Sequence, residues 1–445
     1  MKKFLAPLLF IAVAIALVMI LGAFFPKYAG MLATLFIFLV ADGYLWYSVR
    51  GHIRKSGRAA RIAATALYWL PVALLISIMV YGSFVAFLDW NLPLRTYILS
   101  LVLVLFLAKV FPVVALLIAD ITRGIIVLQN LVSGKQPGPG TQIRRNHAVL
   151  VTGWILGFLL LILLVSGTLF WQFDFRVNRQ EIRLNDLPPS FDGLKIVQIS
   201  DIHLGSWASK EKLLEAMNTI NGLKPDVIFF TGDMFNYCTA DGEGFQDILR
   251  VLHAPFGIYA IMGNHDYGDY IKWPSDAAKL KNLGDLHLFY HSLGWKLLLN
   301  AHDILKRGSD SIAVIGVENW GSSHRFQRFG DVAKAIRGTE TMAIQLLLSH
   351  DPSHWDSIVS KNYRNIDVTF SGHTHGGQVG INCFGIHWSP ISWAYREWCG
   401  LYANPKSSPP QYLYVNQGLG NIGYSGRIGI LPEITLITLK RAIQK

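Results

Sequence analysis

Five apolar stretches, residues 4–25, 31–48, 64–88, 96–119 and 148–171, crowd into the first 176 residues. About 20 apolar residues cross the hydrocarbon core of a bilayer as helix, so each stretch is of spanning length, the second only just. As core helices of a water-soluble domain they would lack the polar sequence needed to cover them. Charge follows the same division. Residues 1–176 carry 15 Lys+Arg against 4 Asp+Glu, and residues 177–445 carry 25 of each. The net charge of +11 therefore sits in the apolar part and marks a membrane region, not a nucleic-acid-binding surface. Two parts follow: a polytopic membrane region of five helices, 1–176, and a domain, 177–445, long enough to bury a full core.

The loops set an orientation. Lys2 and Lys3 precede the first stretch, Arg50, Arg54, Lys55, Arg58 and Arg61 fill the second loop, and Arg123, Lys135, Arg144 and Arg145 lie in the fourth, beside the breaker-rich Gln136–Gly140. The alternate loops hold only Lys27 and Arg95, an asymmetry of 11 against 2. Positive charge stays cytoplasmic, which places the N-terminus inside and, after five crossings, the domain outside the plasma or inner membrane. Lys2 and Lys3 before an apolar run also resemble a signal peptide, but the run exceeds the usual signal core. Asp42 and Lys109 lie within spans, each about 16 to 21 Å along its helix at 1.5 Å per residue, so they can pair or each can reach a polar seam.

From residue 193 the pattern changes to short β-branched runs: 195–200, 226–230, 258–262, 311–317, 343–349, 367–370, 412–415 and 433–439. Amphipathic stretches near 209–222, 243–252, 275–283, 331–337 and 353–360 separate them. The alternation reads as α/β, with ligands expected at the carboxyl ends of strands. Those ends carry Asp201-Ile202-His203, Thr231-Gly232-Asp233, Gly263-Asn264-His265-Asp266, Ser349-His350-Asp351 and Gly372-His373-Thr374-His375-Gly376-Gly377. An isolated Asp-x-His is usually a turn acid and a core histidine. Five such sites in order, each after an apolar run, point to a metal-assisted reaction.

In this order the motifs resemble the calcineurin-like metallophosphoesterase superfamily, over about residues 190–440. The tail, Asn416 to Gly420, Gly426-Arg427 and Pro432 to Leu436, is similar to the membrane-associated YkuE and YaeI type. The polytopic part resembles the transmembrane proteins with a metallophosphoesterase domain. The resemblance implies two β-sheets packed face to face with helices outside. It further implies that Asp201, His203 and His375 bind one metal, that Asn264, His350 and His373 bind a second, and that Asp233 bridges both. Oxygen and nitrogen donors without thiolate suit two cations such as Mn²⁺, Fe²⁺, Zn²⁺ or Mg²⁺. Two such ions about 3.5 to 4 Å apart can share a hydroxide and polarise a phosphoryl group. His265 resembles the family's non-liganding histidine, a leaving-group acid or transition-state stabiliser. Asp266 either orients that ring or caps the turn.

Three cysteines, Cys238, Cys383 and Cys399, are too few and too badly spaced for a thiolate site. Cys383 and Cys399 can bond in an oxidising compartment, leaving Cys238 free. Three functions compete: a membrane-anchored phosphohydrolase, an inert binding module that kept the fold, and a transporter or sensor regulated by the domain. An inert module is expected to lose ligands, and none of the seven is missing; transport predicts more polar residues within spans. Phosphohydrolysis is the favoured reading, of a phosphodiester or a lipid-linked phosphate or pyrophosphate. The segment Ile386–Trp398, with Trp388, Trp393 and Trp398, is either an aromatic cover for a core edge or an interfacial loop in which Trp388 and Arg396 meet a lipid phosphate.

Overall fold

The computed structural model describes residues 15, 16, 19, 20, 29–134, 143–404 and 406–442. The expected first span and the segment Gln136–Gly140 thus lie almost wholly outside the described residues. The chain divides into two compact units, Met1–Ser166 and Gly167–Lys445.

The first unit contains α1 (Ala29–Ile53), α2 (Arg58–Phe84), α3 (Leu99–Leu107), α4 (Val110–Val132) and α5 (His147–Leu169). Among the described residues three helical runs are long and apolar enough to cross a membrane: Arg58–Phe84, Leu94–Val132 and His147–Phe173. The expected span 31–48 falls within α1. The expected span 96–119 falls within the helical run Leu94–Val132, which continues through Asp120 and Arg123. Its break at Ala108–Lys109 has a local cause: Pro112 has no N–H to offer the Ala108 carbonyl.

Two polar clusters link these helices. Lys109 Nζ lies 2.8 Å from Asp42 Oδ2 and donates to the Tyr68 carbonyl at 2.9 Å. The Tyr68 hydroxyl donates to the Asp42 carbonyl at 2.6 Å. Asp120 accepts two hydrogen bonds from Arg145, at 2.6 and 2.7 Å, and one from the Tyr44 hydroxyl at 2.8 Å. That clasp lets an acid continue a helix that hydropathy alone would end.

The second unit is a two-sheet sandwich. One sheet has the order β1 (Arg176–Leu184), β14 (Glu433–Arg441), β2 (Lys195–Ile199), β3 (Val227–Phe230), β4 (Ile258–Ala260), β5 (Lys296–Leu297). The other has β12 (Gly400–Ala403), β13 (Tyr412–Val415), β9 (Val368–Ser371), β8 (Gln345–Leu348), β7 (Asp310–Gly316), β6 (Ala301–Arg307). A separate hairpin pairs β10 (Ile381–Cys383) with β11 (Ile386–Trp388).

Strand alternation builds the layers. Val227 and Phe229 of β3 join Leu346 and Leu348 of β8 in the core between the sheets, where Phe229 meets Phe370 edge-on at 5.0 Å. Leu347 points the other way, packing with Trp355 and Val359 in an outer layer. Helix α6 (Lys210–Gly222) starts at Ser209, whose hydroxyl accepts from the Lys212 N–H. Helix α7 (Asp276–Leu293) is twice the expected length; it runs through Gly284 and stops only at Gly294, φ +72°.

Candidate metal centre

β2, β3 and β4 are mutually parallel, and so are β7, β8, β9 and β13. All five motifs follow strands of these two parallel sets. The chain leaves the strands through strained turns: Asp201, His203, Asp233, His373 and His375 have φ between +49° and +70°. Such conformations cost about 1–3 kcal/mol each for non-glycine residues and persist where the surroundings over-determine them. Here the Asp201 N–H is tied to the Gly232 carbonyl at 2.9 Å and the His203 N–H to the Asp233 carbonyl at 3.1 Å. Gly372 is required by close approach, since a Cβ there would lie 1.9 Å from Ser200 Oγ.

Donor atoms of Asp201, His203 and His375 lie within 4.8 Å of one another, as do those of Asp233, His350 and His373. Asn264 Oδ1 joins the second group, 2.6 Å from His373 Nδ1 and 3.2 Å from His350 Nε2. Asp233 Oδ2 stands between the groups, 3.2 Å from His350 Nε2 and 3.6 Å from His203 Nε2.

Outer partners decide which nitrogen faces inward. His203 Nδ1 lies 3.1 Å from the Phe235 carbonyl and His350 Nδ1 lies 2.7 Å from the Thr231 carbonyl, so each Nδ1 bears a proton and each Nε2 turns to the centre. His373 is reversed. Its Nε2 meets the Tyr395 hydroxyl at 2.8 Å and Asp351 Oδ2 at 3.5 Å, leaving Nδ1 inward. Asn264 Nδ2 donates to the Tyr270 hydroxyl at 2.6 Å, which fixes the amide with its oxygen inward.

Burial holds His203 down at about 3 and His375 well below the usual imidazole range, so both rings are neutral. Burial also pushes Asp201 up to about 7, with Asp233 adding to the effect. Burial would lower His350, but Asp233, Asp201 and the Thr231 carbonyl together outweigh it and lift the ring to about 10. The protein groups alone are thus short of positive charge. His203 Nε2 and His375 Nε2 are 3.0 Å apart, and buried His375 Nδ1 has no hydrogen-bond partner among the described residues. Two apposed imidazole nitrogens beside two buried carboxyls fit divalent cations.

His265 differs from these rings. Its Nδ1 lies 2.7 Å from the Asn236 carbonyl, its N–H donates to Asp233 Oδ1 at 2.8 Å, and its ring stacks on Tyr270 at 4.0 Å. Nε2 is left for the cavity that His265 lines, about 420 Å³, with Asp233, Asn264, Tyr270, His373, His375 and Tyr395. Val379, Ile391 and Ile422 form its apolar wall. Asp266 caps the turn, and among the described residues the His265 ring makes its hydrogen bond to the Asn236 carbonyl instead. The Asp266 oxygens accept the N–H groups of Asp233 (3.0 Å), Met234 (2.9 Å), Phe235 (3.3 Å) and Gly263 (2.8 Å).

Four contributors escape a reading of the sequence: the Asn236 carbonyl, Tyr270, Tyr395 and Arg427. The Gly426-Arg427 pair in the tail is the one local signal. Fully buried Arg427 donates to the carbonyls of His375 (3.3 Å), Gly418 (3.1 Å) and Gly420 (2.7 Å). Burial pulls it down to about 10, still cationic at neutral pH. Neither Arg396 nor Trp388 lines the 420 Å³ cavity. Arg396 instead borders a second cavity of about 720 Å³ with Lys361, Arg364 and Lys406, and Trp388 belongs to the exposed hairpin. Cys238, Cys383 and Cys399 are free thiols, so the Cys383–Cys399 bond is not formed.

Comparison with known proteins places two matches on the chain. Residues 194–377 match the family described as calcineurin-like phosphoesterase, and residues 28–170 match probable calcineurin-like phosphoesterase, transmembrane domain. The uncharacterized metallophosphoesterase YkuE of Bacillus subtilis is 32% identical over 58% of this chain and 83% of its own length. A transmembrane protein with metallophosphoesterase domain from Bos taurus is 25% identical over 91% of this chain and 88% of its own. The UDP-2,3-diacylglucosamine pyrophosphatase LpxG of Chlamydia trachomatis is 29% identical over 54% of this chain and 82% of its own.

Proposed function

The chain belongs to the calcineurin-like metallophosphoesterases, phosphoester hydrolases, and carries a transmembrane domain; on that premise we propose that it hydrolyses a lipid-linked phosphodiester or pyrophosphate at a two-cation centre. Asp201, His203 and His375 would hold one ion, Asn264, His350 and His373 the other, with Asp233 shared. Two divalent cations would supply Lewis acidity to the phosphoryl group and to the attacking water.

The chain's own groups supply the rest. Asn236, by accepting from Nδ1, and Tyr270, by stacking, hold His265 so that a protonated Nε2 gives its proton to the leaving oxygen. Asp351 and Tyr395 hold His373, and Arg427 ties the His375 turn to residues 418–421. The observation that carries the reading is that His203 and His350 commit their Nδ1 protons to backbone carbonyls, leaving Nε2 for a cation. The lipid-linked class is supported by the apolar wall of the cavity and by the relative whose name is that of a diacylglucosamine pyrophosphatase.

The membrane region is proposed to cross five times, with a cytoplasmic N-terminus and residues 177–445 outside. The substrate class is tested with the full chain in nanodiscs, offered mono- and diester nitrophenyl phosphates and lipid pyrophosphates, with each metal returned after chelation. Turnover of a lipid pyrophosphate well above the soluble esters is expected. Turnover of soluble monoesters alone would overturn it.

A further inference from the structure

Outside the centre, the second unit exposes a continuous apolar surface. In the hairpin Ile381 faces Trp388 and Cys383 faces Ile386, so strand alternation puts these four on one side and Asn382 and His387 on the other. All six are exposed. The turn between the strands carries Phe384, 99% exposed. Trp393, 79% exposed, packs edge-on against Trp388 at 5.5 Å. A hairpin with one apolar face normally turns it inward, and a clustered patch of this kind marks an interaction surface.

Two neighbours say what it meets. On one side Val379, just before β10, and Ile391, just after β11, line the 420 Å³ cavity, so the patch runs into the candidate site. On the other side, three residues after Trp393, Arg396 opens the 720 Å³ cavity shared with Lys361, Arg364 and Lys406, four cations against the two acids of its lining, Asp356 and Glu397, the latter 3.5 Å from Arg396 Nε. Lys361, Arg364 and Lys406 form no ion pair among the described residues. An apolar tip with amphipathic aromatic rings and a basic flank is complementary to an anionic lipid surface, where rings sit at headgroup depth and cations meet phosphates. A protein partner has no such reason to match both halves, and the chain already carries bilayer-spanning helices.

We propose that the β10–β11 hairpin and Trp393 dock into an anionic bilayer surface, with Arg396, Lys361, Arg364 and Lys406 on the headgroups. The lip formed by Val379 and Ile391 then passes a lipid-borne phosphate into the cavity. Docking stands alone; the passage of substrate rests on the lipid-linked reading above.

Cys383 offers a native probe, since Cys238 and Cys399 are buried and can be replaced by Ala. The full chain, in nanodiscs of zwitterionic or phosphatidylglycerol-rich lipid, is labelled at Cys383 with an environment-sensitive fluorophore. Quenching by lipids spin-labelled at a shallow acyl position is then read. Quenching is expected, stronger in anionic discs, and absent for a label at Lys281→Cys on the exposed face of α7. Equal, weak quenching at both sites would overturn docking, as would a Cys383 label shielded only when two chains share a disc. Phe384→Asp with Trp393→Asp should abolish quenching and lower hydrolysis of an embedded substrate, leaving a soluble diester unaffected. Quenching in a wild type that never cleaves lipid would refute the substrate reading alone. Cleavage of lipid without quenching would refute docking alone.

Discussion

His203 Nε2 and His375 Nε2 face each other at 3.0 Å across the two sheets, one ring following β2 and the other β9. A cation held by both rings would tie the sheets together at the rim. Removing it takes that tie away, so chelation should destabilise the second unit. A ligand present at about 100 times its Kd stabilises by about 2.7 kcal/mol. Thermal unfolding of the full chain in detergent should therefore begin several degrees lower with EDTA and recover with Mn²⁺. In His203→Ala the difference should shrink or vanish; an unchanged difference would place the stabilising cation elsewhere.

Asp266 makes a separable prediction. Asp266→Ala strands four buried N–H groups, and each unsatisfied group costs about 1–3 kcal/mol. The variant should lose several kcal/mol of stability in denaturant unfolding. Were Asp266 an orienting partner of His265, its loss would instead change the pH–rate profile in a protein of normal stability.

In the membrane unit, Lys109→Met leaves Asp42 without its cation in surroundings where Asp42 is 2% exposed. Breaking a buried pair from one side costs about 3–5 kcal/mol, whereas replacing both partners by apolar residues is often neutral. The single variant should lower the melting temperature in detergent, and Asp42→Leu with Lys109→Met should recover it. No recovery in the double variant would show a role beyond pairing.

The 11 against 2 loop asymmetry predicts the side of the membrane. A reporter active only after export should work when fused after Lys445 and stay silent when fused after Gly140. The reverse pattern would invert the orientation.

The sequence was most legible where side chains repeat a pattern. All eight β-branched runs are strands, because their alternation fills the core between the sheets and the layers outside. β1 escaped because Arg176–Leu184 is an edge strand with three arginines and only two buried residues, recognisable only from its pairing with β14. The seven proposed ligands stand out as motifs. Their supports do not, because Thr231, Phe235 and Asn236 act through backbone carbonyls, which any residue carries. Tyr395 reaches His373 from a distant loop, and the Asp120–Arg145 clasp joins residues that hydropathy assigns to a span end and a loop.

The central claim is that seven residues hold two cations while His265 holds none and works on the substrate. Metal content and turnover of a soluble diester, measured together on wild type, Asp233→Asn and His265→Ala, test it most directly. Two divalent ions per chain are expected in the wild type. Asp233→Asn should lose metal and activity together. His265→Ala should keep both ions while turnover falls about 10²- to 10⁴-fold, the loss expected for a general acid. Metal lost from His265→Ala to the same degree as from Asp233→Asn, or full turnover in a chelated wild type, would contradict the account.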